Sequence, residues 1–320
     1  SNVSSSVCGC HFNSTLLISL LPPLLWTEFI LGFLGNGLAL WIFCCHLRPW
    51  KSSTVLLFNL VVADFLFIMA LPFRASYYYF KMQWRFGQAV CNIVLFTLAM
   101  NRSGSTFFLM AITVDRYMRV VHPHHPINSV SSSKAMCGAF GLWLFTIAMT
   151  AHVFSVPHTN TMYCESFVVD TELPHNLSWH RFEFLFSFII PLLVILYCTF
   201  HIICHLRGRQ LAQHANIKKA LCFITLVVVV FTVCFLPSNI MQVVIWIKTH
   251  HSLSTLPESE LCPALEDVTN AFFLSISLTY LNSVLDPIIY YFYSPAIKDI
   301  FRKILHPSQE KTMSSANVTL

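Results

Sequence analysis

The chain has 320 residues, of which 56% are hydrophobic and 10% charged, where a soluble domain carries about 25% charged residues. That balance excludes an ordinary soluble globule and reads as an integral membrane protein. The formal charge of +5 follows the membrane topology set out below, and it does not make a nucleic-acid surface.

A helix needs about 20 apolar residues to cross a bilayer. Seven segments meet that length, roughly 17–45, 54–79, 88–121, 135–155, 180–206, 217–247 and 266–292. No cleavable signal pattern is expected, because the first long apolar run follows a polar start and is too long for a signal core. After the last span, 295–304 sets Ile297, Ile300, Phe301 and Ile304 on one side and Lys298, Arg302 and Lys303 on the other, the pattern of an interfacial helix. No internal repeat or long linker divides the chain. The predicted fold is an all-α membrane protein, a seven-transmembrane helix bundle with a short amphipathic eighth helix. Residues 1–16 form an outer N-terminus, 17–293 the bundle, and 294–320 the amphipathic helix and tail.

Lysine and arginine in short loops set the orientation. With the N-terminus outside, 13 of the 19 basic residues, among them Arg48, Lys51, Arg116, Arg119, Lys218 and Lys219, fall on the cytoplasmic side. Glycosylation sequons at Asn2, Asn13 and Asn176 then fall outside. So do Cys8, Cys10, Cys91, Cys164 and Cys262, in a setting where disulfides persist. Cys91 atop the third span and Cys164 after the fourth are the best pair, and Cys262 takes Cys8 or Cys10. The other seven cysteines read as apolar packing residues.

Several polar residues lie within the spans: Asn36, Asp64, Ser105, Asn282, Ser283 and Asp286. Intramembrane carboxylates face the bundle interior and find partners. Oxygen atoms from several helices suit a hydrogen-bonded network, and equally a Na⁺ or proton site coupled to conformation. Pro72, Pro191, Pro237 and Pro287 kink their helices, which suits a switch or a transporter. At the inner end of the third span, Asp115, Arg116 and Tyr117 are followed by His122, His124 and His125, whose spacing fits no helical metal site and reads as loop.

The most informative residue is Arg102, a charge in the middle of "LFTLAMNRSGSTFFLMAITVDRY". A charged side chain at mid-membrane costs about 2.5–3.5 kcal/mol on insertion scales. It lies 14 residues before Arg116, about 21 Å along a helix and within about 40° of the same face, so it points into the bundle. Three readings are open. It pairs with a fixed acid such as Glu28 or Glu165, it snorkels, for which it lies too deep, or it awaits an anionic ligand whose carboxylate its planar fork would match.

"GN" at Gly35–Asn36, "LVVADF" around Asp64, Cys91, "DRY" at 115–117, Trp143, Pro191, "CFLP" at 234–237 and "DPIIY" at 286–290 occur in order, each in its own span. On these motifs the chain resembles the rhodopsin-like G-protein-coupled receptors over residues 10–305. Phe235 stands where that family usually has Trp, and Asp286 where it usually has Asn. The longer stretches "LGNGLALWIFCCHLRPWKSSTVLLFNLVVADF", "LFTLAMNRSGS", "VDRYMRVVHPHHPIN" and "LTYLNSVLDPIIYYFYSP" are similar to the hydroxycarboxylic acid receptors, with the oxoeicosanoid receptor as a near relative.

The resemblance implies a receptor in the plasma membrane, with its N-terminus outside, for a carboxylic acid ligand. It implies signalling through heterotrimeric Gi/o protein to lower cAMP, with arrestin, receptor kinases and membrane lipid as further partners. Arg102 would anchor the ligand carboxylate, helped by Tyr280 and Arg74, though Arg74 also reads as a snorkelling residue. Glu165 and Ser166 would cap the pocket. Gln242 stands where the hydroxycarboxylic members carry arginine, so a longer oxo- or hydroxy-fatty acid is the alternative ligand. Asp115, Arg116, Tyr117, Phe235, Pro237, Asp286, Pro287 and Tyr290 would make the switch and couple the G protein. Asp64, Ser105, Asn282, Ser283 and Asp286 would hold an allosteric Na⁺, and no other cofactor is expected. Among rival classes, a carboxylate transporter would also need a buried arginine, but transporters are usually built from repeated halves. No protease pattern or metal set suggests an enzyme.

Overall fold

The computed structural model describes residues 14–48, 50–155, 162–165, 182–208 and 215–306. Seven helices among them are long and apolar enough to cross a membrane. They are α1 (Thr15–Cys45), α2 (Ser52–Tyr79), α3 (Gln88–Val121), α4 (Ser132–Thr150), α5 (Ile190–Gly208), α6 (Ala215–Thr255) and α7 (Glu258–Tyr293), followed by α8 (Pro295–Leu305).

Local chemistry sets the ends. The hydroxyls of Ser14, Ser131 and Ser294 accept from backbone N–H groups in the first turns of α1, α4 and α8, which satisfies donors that have no partner within the helix. Pro295 begins α8, where its missing N–H costs nothing. The chain enters α5 through a wide π-helical turn, Leu185–Ile189. Pro191 follows directly and cannot donate to the ladder, so the register shifts there. α4 tightens into a 3-10 turn, Ala151–Ser155.

The spans start or end within a few residues of the bounds the sequence predicts, the 180–206 segment being helical from Phe182 through the π turn into α5, except on the outer side of α6 and α7. These were expected over 217–247 and 266–292, yet α6 runs on to Thr255 and α7 starts at Glu258. The added turns are too polar to read as membrane, and they remain helical above it. Pro22 and Pro23 also lie inside α1, besides the four prolines the sequence reading picked out.

Close approach joins α1 to α7, where a Cβ added at Gly35 would lie 2.9 Å from Pro287 Cγ. α4 is tied to α2 by Trp143 Nε1, which donates to Asn59 Oδ1 at 3.0 Å. Two apolar clusters fill the bundle. The inner one includes Phe43, Leu60, Ile112, Phe231 and Tyr290, and the outer one includes Leu71, Tyr77, Leu95, Phe272 and Tyr280. Leu34, Phe140, Leu193 and Phe200 point outward with 60–64% of their surface exposed, an arrangement that fits lipid as the surrounding solvent.

Candidate ligand-binding site

Arg102 lies 11 residues along α3 from Cys91, so about 16 Å below it. It is half-buried and has no hydrogen-bond or ion-pair partner among the described residues. It faces a cavity of about 80 Å³, with Ser103 and Thr106 beside it on α3. His152 and Val153 close one side, Glu183, Phe184 and Ser187 the next, and Phe235, Ser238, Asn239 and Gln242 of α6 the third. Phe272 and Ile276 of α7 complete the wall.

The second expected arginine behaves differently. Arg74 is fully enclosed, not snorkelling, and its Nη2 donates to Glu165 Oε2 at 3.0 Å. Its Nη1 donates to the Cys164 carbonyl at 2.8 Å and its Nη2 to the Tyr78 hydroxyl at 3.2 Å. The guanidinium also lies over the rings of Tyr77 and Tyr78. The Cys91–Cys164 disulfide, with Cα atoms 5.8 Å apart, places the next residue, Glu165, over Arg74. Burial pushes the Glu165 carboxyl above its ordinary range, and the adjacent Arg74 opposes the shift. Of the two acids that could pair with Arg102, Glu165 is therefore taken by Arg74, and Glu28 is buried on α1 with Oε2 unsatisfied among the described residues. Tyr280 is buried against Phe67 and within electrostatic reach of both arginines.

The expected ligand residues thus fall into two groups. Arg102 and Gln242 line the cavity, while Arg74, Glu165 and Tyr280 form a buried cluster beside it. Ser166 lies outside the described residues, as do Asn2, Asn13 and Asn176. Cys262 is disulfide-bonded, while Cys8 and Cys10 lie outside the described residues. His152 and Glu183 were not anticipated. They form a pair at 3.4 Å within the cavity.

Below the cavity, polar residues of four helices converge on Asp64. Ser105 and Ser283 donate to its Oδ1 at 3.2 and 2.9 Å, and the Tyr290 hydroxyl donates to Oδ2 at 2.6 Å. Asn282 Nδ2 donates to Asp286 Oδ2 at 3.1 Å, and Asn36 Nδ2 reaches the Ser283 carbonyl at 2.7 Å. Among the described residues, Oδ1 of Asn36, Asn282 and Asp286 are buried acceptors without a donor. Such oxygens fit a hard cation, which accepts oxygen ligands and needs no hydrogen.

At the inner end, Asp115 and Arg116 do not pair with each other. Asp115 accepts from Ser53 and Tyr293, each at 2.8 Å, and from Arg119 at 3.2 Å. Arg116 donates to the Tyr293 carbonyl at 2.8 Å and lies 4.0 Å over that residue's ring. Tyr293, which the sequence reading passed over, therefore holds both. The Tyr117 hydroxyl lies 3.2 Å from His122 Nε2. His125 caps a short turn, Pro126–Ser129, in the loop expected there.

A bundle of seven spans with a polar cavity under a disulfide-tied loop and a charged lock at its inner end is a receptor architecture. Residues 35–290 match the model of the 7 transmembrane receptor (rhodopsin family). Human hydroxycarboxylic acid receptor 2 is 43% identical over 309 residues, covering 95% of this chain and 83% of that protein. Human hydroxycarboxylic acid receptor 1 is 42% identical over 300 residues, 92% of this chain and 83% of its own. Human oxoeicosanoid receptor 1 is also 42% identical over 300 residues, 91% and 74% of the two chains. The chain belongs to the rhodopsin family of G-protein-coupled receptors, in the group that includes the hydroxycarboxylic acid receptors, and is not an enzyme.

Proposed function

We propose that this receptor sits in the plasma membrane with its N-terminus outside and responds to a small carboxylic acid whose carboxylate is held by Arg102. Occupancy would signal through Gi/o to lower cAMP. The observation that carries this reading is the contrast between the arginines. Arg74 is neutralised by Glu165, whereas Arg102 faces the cavity with no hydrogen-bond or ion-pair partner among the described residues. The relatives named for carboxylic acids support the same class. The test is inhibition of raised cAMP in transfected cells by acids from three carbons to long-chain oxo-acids, with and without inactivated Gi/o. A response to short acids that vanishes with Gi/o supports the proposal, and silence across the series contradicts it.

An oxo- or hydroxy-fatty acid is the second reading, supported by the likeness to oxoeicosanoid receptor 1 and by Gln242. The cavity of about 80 Å³ supports the smaller ligand, since sites for drug-sized molecules run to about 300–1,000 Å³. Na⁺ at the Asp64 cluster, glycans at Asn2, Asn13 and Asn176, and engagement of arrestin and receptor kinases belong to the same proposal.

A further inference from the structure

We propose that Glu183 is a specificity-determining residue of the cavity. It would accept a hydrogen bond from a hydroxyl or ammonium group on the ligand, so that the site selects short acids carrying such a donor over unsubstituted acids and dicarboxylates. The inference rests on the carboxylate reading of Arg102 and adds a second pole to the site.

The geometry begins with His152. Its Nδ1 lies 3.1 Å from the Met149 carbonyl, which can only accept, so Nδ1 carries hydrogen. A neutral imidazole has a single N–H. Nε2, which lies 3.4 Å from Glu183 Oε2, therefore donates only if the ring is charged. A second possibility is that the carboxyl carries the hydrogen and donates to Nε2. With one proton on either side of this 3.4 Å contact, the pair is neutral overall.

Arg102 then supplies the one unbalanced charge of the three, and its field reaches Glu183 across the cavity. A single ligand carboxylate neutralises it, while a second carboxylate would add an uncompensated anion beside Glu183. The Ser187 hydroxyl is turned away to the Glu183 backbone carbonyl at 2.5 Å. Glu183 Oε1 has no hydrogen-bond partner among the described residues, and the side chain lines the cavity. An acceptor placed this way rewards a donor on the ligand and penalises its absence.

The test measures cAMP inhibition by matched four-carbon acids that are unsubstituted, hydroxylated, aminated or dicarboxylic. It uses wild type, Glu183→Gln, Glu183→Ala and Arg102→Ala at equal surface expression. The readout is the potency ratio of each acid to the unsubstituted one within a variant. In wild type the preferred donor-bearing acid is expected to be about tenfold or more ahead, and the dicarboxylate behind. Glu183→Ala should bring the ratio to near one while the unsubstituted acid still acts through Arg102. Glu183→Gln, of the same shape, should keep a hydroxyl preference and lose an ammonium preference, which identifies the donor. If wild type shows no preference, or if the ratios survive Glu183→Ala and Glu183→Gln alike, the inference fails alone. If no acid acts in an Arg102-dependent way, the carboxylate reading fails and takes the inference with it.

Discussion

Arg74 and Glu165 face each other at 3.0 Å with both side chains out of reach of solvent, 91 positions apart in the sequence. The pair fastens the disulfide-tied loop to α2. It also decides which arginine of the outer bundle is left for an anion. Removing one partner of a buried pair costs about 3–5 kcal/mol, because the other is left charged and unpaired. Glu165→Ala is therefore expected to lower the melting temperature and surface expression strongly. A thermal-stability assay on purified receptor checks this, and Glu165→Ala melting with wild type would mean that the pair contributes nothing.

The same residue gives a pH signature. Its carboxyl is held above the ordinary range by burial, with Arg74 opposing, and that range lies near about 4.3. The folded state binds this proton more tightly than the unfolded chain. The stability from that shift is present below the unfolded value and is lost as pH rises through the folded one. Glu165→Gln does not titrate, so its melting temperature should vary less with pH above about 4.3 than that of wild type. Parallel profiles would contradict the assignment.

Much of this was legible in the sequence for simple reasons. Lipid requires long apolar helices, so the seven spans stood out, and Arg102 stood out because it interrupts one of them. The Asp64 group was legible because polar residues at mid-span must meet one another. The partner of Arg74 was not legible, because Glu165 reaches it only through the path imposed by the Cys91–Cys164 bond. Glu183 and His152 sit near the outer ends of their spans, where charge is ordinary, and only the packing of both segments against α3 turns them into the cavity. Tyr293 is one of four consecutive aromatic residues, and nothing in "YYFY" marks the one that clamps Arg116.

That clamp predicts basal activity. Tyr293→Phe keeps the ring and carbonyl under Arg116 and removes the hydroxyl that donates to Asp115 at 2.8 Å. A hydrogen bond to a charged group contributes about 1.5–3 kcal/mol. If the contact belongs to the resting state, ligand-free nucleotide exchange on added G protein should rise about tenfold. Unchanged exchange would show that the clamp does not distinguish the states.

The orphaned oxygens beside Asp64 predict a cation effect. Raising Na⁺ at constant ionic strength should weaken agonist binding, because a cation there would favour the arrangement in which Asp64, Ser105 and Ser283 are drawn together. Asp64→Asn should abolish that dependence, and a dependence retained in the variant would place the cation elsewhere.

The central claim is that Arg102, and not Arg74, receives the ligand carboxylate. The most direct measurement is equilibrium binding of a radiolabelled acid, chosen as the most potent in the cAMP series, to membranes carrying wild type or Arg102→Ala at matched receptor density. Loss of a buried charge partner typically costs 2–5 kcal/mol, so affinity should fall about 30-fold or more. Binding that survives Arg102→Ala within a factor of about three, less than 1 kcal/mol, would contradict the account.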